Sequence, residues 1–217
     1  MPPYGGNGKG NCRAKIQLKN AFAEIGRDLQ KGMFDKMNVM VKAAKSLFKI
    51  AYWKCRYGSR LKMPWIQGFD QVYLELSGNG HMSFGERNEN RGRMHFICAG
   101  DGRLEIGNHV IYAIGGSITC MGHIKIGDYC RLGNNVVIVD HDHNFKNQGE
   151  EFLVGEITIG DRVWIGANCT ILKDVHIGDD CVIAAGSVIN KDVPAHTICY
   201  QKRETVYAPI SSEKKGV

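Results

Sequence analysis

Ile159-Gly160-Asp161-Arg162-Val163-Trp164 opens a stretch that, cut in sixes as far as Pro194, reads IGDRVW IGANCT ILKDVH IGDDCV IAAGSV INKDVP. Ile159, Ile165, Ile171, Ile177, Ile183 and Ile189 each begin a hexad, and Gly160, Gly166, Gly178 and Ala184 follow four of them. The fifth place is small or β-branched as well: Val163, Cys169, Val175, Cys181, Ser187, Val193. No helix keeps a period of six on one face, and a plain alternating strand has no use for glycine at fixed intervals. A flat strand followed by a tight turn meets both demands, with the isoleucine inward and the small residue letting the chain turn closely. Repetition of that unit is the signature of a parallel β-helix, in which each coil buries its inner face against the next.

Upstream the repeat is looser. Val72, Leu74 and Leu76 alternate as a strand, and Phe84-Gly85, Ile106-Gly107 and Ile126-Gly127 are earlier copies of the hexad opening. Ile126, Leu132 and Ile138 then hold register up to His143, and the register resumes at Ile159. The intervening 144–158 reads as an inserted loop, and a long insertion on a strict solenoid is a place to look for function. At its root stands Asp140-His141-Asp142-His143-Asn144. An imidazole that titrates near neutrality can take a proton from a hydroxyl and later return it, so these two histidines are the candidate acid–base groups.

Of 217 residues 43% are hydrophobic, enough for a folded core, and no apolar run is long enough to span a bilayer. The first residues, Gly- and Asn-rich, lack a signal-peptide core, so a cytosolic location is expected. Eight cysteines without a single Cys-x-x-Cys pair argue against zinc ribbons and disulfides; Cys130, Cys169 and Cys181 fall instead on inward hexad positions, as buried thiols do. The net charge of +6 is uneven: Met1 to Lys62 holds fourteen lysines and arginines against three acids, a balance of +11. Within that segment 32–57 reads as a basic amphipathic helix. Met33, Met37, Met40, Ala44, Leu47 and Ala51 form its stripe, widened by Phe34, Val41 and Phe48. Two roles suit it: its apolar face capping the open end of the coil, or lying on an anionic membrane with Tyr52 and Trp53 at the interface. No recognition motif accompanies the charge, so no nucleic-acid partner is expected. The chain divides as a basic, largely helical segment 1–64, a β-helix 65–203 and a tail 204–217.

The phrases Ile159-Gly160-Asp161-Arg162-Val163-Trp164-Ile165-Gly166 and Ile189-Asn190-Lys191-Asp192-Val193-Pro194 resemble the left-handed β-helix acyltransferases, above all maltose and galactoside O-acetyltransferases and bacterial polysaccharide O-acetyltransferases. The resemblance implies an all-β, left-handed coil of three hexads per turn, with Ile126, Ile159 and Ile177 in one column. It implies a homotrimer, acetyl-CoA as donor, and a sugar or glycan as acceptor. It places His143 on the catalytic base, and Trp164, with His141, Asn144 and Phe152, along the active site. His141 is expected to face differently from His143 and to carry no chemistry. Ala167, Ala185, Asn190 and Lys191 fall on positions lining the pantetheine groove, Lys202 or Arg203 on the nucleotide phosphate, and the Ala167 N–H is the candidate oxyanion donor. Tyr200-Gln201-Lys202-Arg203 replaces the family's Asn-Pro-Ala-Arg ending. Ala113 or Ile114 stands at its sugar-contacting asparagine, and an acidic residue is missing near Met121, so neither maltose nor a galactoside is the expected acceptor.

Three other readings stay open on the sequence. One is a metal enzyme like the carbonic anhydrases of this fold, with His141, His143 and His176 or His123 as zinc ligands, although no metal is expected. Another is N-acetylation of an amino sugar, and the last a scaffold without catalysis.

Overall fold

A computed structural model describes residues 35–147, 151–202 and 204–207. In it each hexad is one side of a triangular coil. Three sides return the chain beneath its own starting point, so Ile126, Ile159 and Ile177 stand in register on neighbouring parallel strands, and Ile106 and Phe84 continue the column. The result is a left-handed parallel β-helix with three six-stranded faces. The first face runs from Leu61–Lys62 through His81–Phe84, Arg103–Ile106, His123–Ile126 and Glu156–Ile159 to Val175–Ile177. The second starts at Glu89–Asn90 and includes Arg131–Leu132, Trp164–Ile165 and Val182–Ile183. The third starts at Val72–Leu76 and includes Val137–Val139, Thr170–Ile171 and Val188–Ile189.

Because strand side chains alternate, the fifth and first places of successive hexads point inward together. Val163 and Ile165, Cys169 and Ile171, Cys181 and Ile183 are all buried. In the early coils the third face has five-residue strands, Val72–Leu76, Met94–Cys98 and Gly116–Cys120, and aromatic rings fill the interior. Phe84, Phe96 and Tyr112 meet edge to face at 5.2 Å, and Phe69 joins Phe84 at 5.4 Å. The third residue of the hexad ties coil to coil. Asp128 Oδ1 accepts the Asn108 N–H at 2.7 Å, Asp161 Oδ1 the Asp128 N–H at 2.8 Å, and Asp179 Oδ1 the Asp161 N–H at 2.8 Å. That ladder explains the glycine before it: a Cβ on Gly127 would run into Asp161 Oδ1 and the Gly160 backbone.

Residues 35–57 are helical (α1) and their last part covers the open end of the coil. The face that does so is Ser46, Ile50, Trp53 and Tyr57, all buried. The stripe expected against the coil is instead exposed, from Met37 and Met40 to Leu47 and Phe48; Met33 and Phe34 lie outside the described residues. The reason lies in the edge being covered, which presents unpaired backbone groups as well as apolar surface. Ser46 Oγ donates to Gln67 O and accepts the Phe69 N–H (2.5 and 2.9 Å), Lys49 Nζ donates to Val72 O (3.0 Å) and Tyr57 Oη to Leu74 O (3.4 Å). Trp53 is therefore buried in the cap, and Tyr52 alone of that pair faces outward. At the opposite end of the third face the Gln201 amide donates to Val188 O (2.7 Å) and accepts its N–H (3.2 Å), as a next strand would.

Candidate active site

The inserted loop is a β-hairpin. His141–His143 pairs antiparallel with Phe152–Val154, and Glu156, Ile157 and Thr158 are already back in the first face beside His123, Ile124 and Lys125. Parity along the strand explains its root. Ile138 points inward, Val139 outward, and Asp140 inward again, so a carboxylate sits on a core position with no exposure. Its burial is offset by convergent donors: the Met121 N–H at 2.8 Å, the Gly122 N–H at 2.9 Å and His141 Nδ1 at 3.0 Å. Its carbonyl accepts the Gly155 N–H at 2.7 Å, where the hairpin returns. Asp140 thus fixes both arms of the hairpin to the coil before it.

A carboxylate on Nδ1 sets the tautomer of His141 with Nε2 left as the acceptor, the arrangement a general base requires. Residues two apart on a strand share a face, so His141 and His143 stand on the same side of the hairpin. Phe152 packs against both rings, at 5.3 Å from His141 and 4.7 Å from His143. The expectation that the two imidazoles face differently is therefore not met. They differ in access: the His141 side chain is 13% exposed, whereas His143 is open to solvent. Asn144 lies at the hairpin's turn, its N–H on Glu151 O and its Oδ1 accepting the Lys146 N–H.

The remaining site residues are gathered in two other places. Trp164, Ala167 and Ala185 share a hollow on the second face with Ala113, Gly133 and Ala184, a trough of mostly small residues, with Val182 and Ile183 in its wall and Trp164 its largest side chain. Trp164 is 57% exposed there. Asn190 and Lys191, both exposed, lie at the far end of the strand that follows Ala185, near the corner between third and first faces. The hairpin leaves from that same corner, between Val139 and Glu156. In a triangular prism this corner is opposite the second face, so one chain holds the histidines and Trp164 on opposite sides. Lys202 is exposed, and Arg203 lies outside the described residues. Of the further zinc-ligand candidates, His123 lies 3.3 Å from Glu105 and His176 is exposed on the first face.

Nothing in the hexad pattern by itself singled out Asp140 as the buried anchor of His141. Counting parity from Ile138 would have exposed it, because a carboxylate on an inward position demands donors. Counting hexads in threes would likewise have separated Trp164 from the histidines.

Comparison with known proteins bears on this geometry. Residues 156–191 match the family model described as bacterial transferase hexapeptide (six repeats). The chain is 36% identical over 94 residues, 42% of its length and 52% of the relative's, to "Putative acetyltransferase YvoF" of Bacillus subtilis (strain 168). It is 38% identical over 79 residues, 35% of its length and 38% of the relative's, to galactoside O-acetyltransferase of Escherichia coli (strain K12). The chain thus spans about half or less of the length of these relatives. A crystal structure of a mutant of AntD, an N-acyltransferase from Bacillus cereus in complex with dTDP and coenzyme A, shares its fold. That match has a TM-score of 0.52 at 17% identity, covering 59% of this chain and 72% of that one.

Proposed function

We propose that this hexapeptide-repeat β-helix transfers an acetyl group from acetyl-CoA to a hydroxyl of a sugar or glycan, as in O-acetylation of a cell-surface polysaccharide or its precursor. The observation that carries the reading is the pair of imidazoles on an inserted hairpin clamped to the coil by buried Asp140. In this reading exposed His143 takes the proton of the acceptor hydroxyl as its oxygen attacks the thioester carbonyl. The Ala167 N–H stabilises the oxyanion, whose collapse expels the coenzyme A thiolate, and the protonated imidazole returns its proton to that sulfur. The trough through Ala167 and Ala185 takes the pantetheine arm, with Asn190 and Lys191, then Lys202 and Arg203, towards the phosphates. Since His143 and Trp164 lie on opposite sides of one prism, a complete site takes its histidines from one subunit and its tryptophan from the next. That supports a homotrimer, whose flat faces pack around a threefold axis. A cytosolic location belongs to the same reading, supported by the free thiols buried at Cys98, Cys120, Cys130, Cys169 and Cys181.

A second reading exchanges the histidines, because His141 is the imidazole whose Nδ1 is held by a carboxylate. Release of coenzyme A thiol, followed with a panel of sugar and glycan acceptors, decides between them. His143→Ala should lower kcat about 10²- to 10⁴-fold with little change in KM for acetyl-CoA, and His141→Ala far less. The reverse outcome assigns the base to His141. Full activity in both variants would sink acid–base catalysis from this hairpin, and loss of activity together with bound zinc would make the protein a metal enzyme.

A further inference from the structure

Helix α1 uses one side to cap the coil and leaves the other uncovered. At 100° per residue the uncovered side forms a continuous sector of about 140°. Met37, Met40, Val41, Leu47, Phe48 and Tyr52 occupy it, each between 46% and 78% exposed, with Ala44 and Ala51 between them. No charge falls inside the sector. Both of its edges are cationic: Lys36 and Lys54 on one, Lys42, Lys45 and Arg56 on the other. Asp35, at the start of α1, is the only acid of residues 35–57 and lies on the capping side. Beside the Lys54 edge stands Trp65, 53% exposed, its ring 4.7 Å from Lys54 Nζ.

We propose that this face of α1 lies in the surface of an anionic lipid bilayer, its apolar sector among the acyl chains and its lysines on the headgroup phosphates. Charge selects this occupant. Met37, Val41, Ala44, Phe48 and Ala51 are spaced four and three apart, as a coiled-coil seam would be. A second copy of α1, however, would set cations against cations along both edges with no acid to pair them. An anionic surface neutralises all of them, each basic residue adding to its affinity. Tyr52 and Trp65, with apolar bodies and polar tips, suit the headgroup boundary. Among the described residues no helix is long and apolar enough to cross a membrane, so α1 lies along the surface. Because the buried face is a separate set of residues, docking leaves the cap intact.

Sedimentation of the full-length protein with vesicles of phosphatidylcholine, with or without one third phosphatidylglycerol, tests this. The anionic vesicles should retain the protein at low salt and release most of it at about 0.5 M salt, where charges are screened within a few ångströms. Phe48→Ser should weaken partitioning about ten-fold or more, and Lys45→Gln about five-fold, with the thermal stability of both variants unchanged. Binding insensitive to Phe48→Ser would mean attraction of any polyanion to the lysines and overturns the proposal. So does equal binding to neutral vesicles, or a fall in the oligomeric mass of lipid-free protein on Phe48→Ser, which would show the face covered by another copy.

Discussion

Replacing Asp140 by asparagine exchanges a carboxylate oxygen for an amide nitrogen where three donors converge. The two oxygens accept the Met121 and Gly122 N–H groups at 2.8 and 2.9 Å and His141 Nδ1 at 3.0 Å. An amide can serve the donors on one side, but its NH₂ then faces a donor on the other. One charge-assisted bond is lost, costing about 1.5–3 kcal/mol, and one N–H is left unpaired against a buried side chain, costing about 1–3 kcal/mol more. The sum, about 2.5–6 kcal/mol, corresponds to a fall in Tm of roughly 5–24 °C for a chain of this size. Thermal unfolding by circular dichroism reads that quantity, and ¹⁵N NMR of the imidazoles reads the other consequence, release of His141 from the Nδ1–H tautomer. A variant with the wild-type Tm and an unchanged His141 tautomer would refute the view that Asp140 clamps the hairpin.

Three further outcomes follow from the packing. Ile50→Ala, on the buried face of α1, should cost about 2–5 kcal/mol in chemical denaturation, whereas Phe48→Ser should stay within about 0.5 kcal/mol; equal effects would mean the helix docks by another face. Gly127→Ala must displace the Asp161 rung or the Gly160 backbone, an overpacking worth about 1–3 kcal/mol, and wild-type stability would show the corner to be soft. Burial pushes the Cys130 thiol up to about 11 from its ordinary value near 9. The folded chain therefore keeps that proton to higher pH than the unfolded chain, and stability present below pH 9 is lost as pH rises towards 11. Denaturation at both ends of that window should show about 2–3 kcal/mol more loss for wild type than for Cys130→Ala, and parallel curves would contradict it.

The coil was legible because its sequence repeats what its geometry repeats. The column of Ile126, Ile159 and Ile177 follows from three sixes to a turn, a count that the family resemblance supplied, and the inward cysteines follow from strand parity. The docking face of α1 was not legible, because apolar residues lie on both sides of that helix. Burial went to Ser46, Ile50, Trp53 and Tyr57 because the coil's edge asks for hydrogen-bond donors, which a stripe of methionines cannot supply. In the candidate site, Asp140-His141-Asp142-His143 marked the right hairpin. The division of labour within it depends on a contact 3.0 Å long between neighbours in sequence, which no pattern of residue types encodes. The separation of Trp164 from the histidines is a property of the prism and appears only when hexads are counted in threes.

The two ends of the coil have one more effect, on solubility. A stack of parallel strands has no intrinsic length; its last rung is as good a template as any before it, and two molecules placed end to end could continue one another as a fibre. Here both terminal rungs of the third face are plugged by side chains. Lys49 and Tyr57 occupy the carbonyls of Val72 and Leu74 at one end, and the Gln201 amide takes both the N–H and the C=O of Val188 at the other. The Gln201 plug has the hydrogen-bonding shape of a strand, the Lys49 and Tyr57 plug supplies donors alone, and neither has an onward edge to offer. The third face is thereby closed at both ends, and Gln201→Ala would reopen a growing tip at the end where, among the described residues, no helix stands guard.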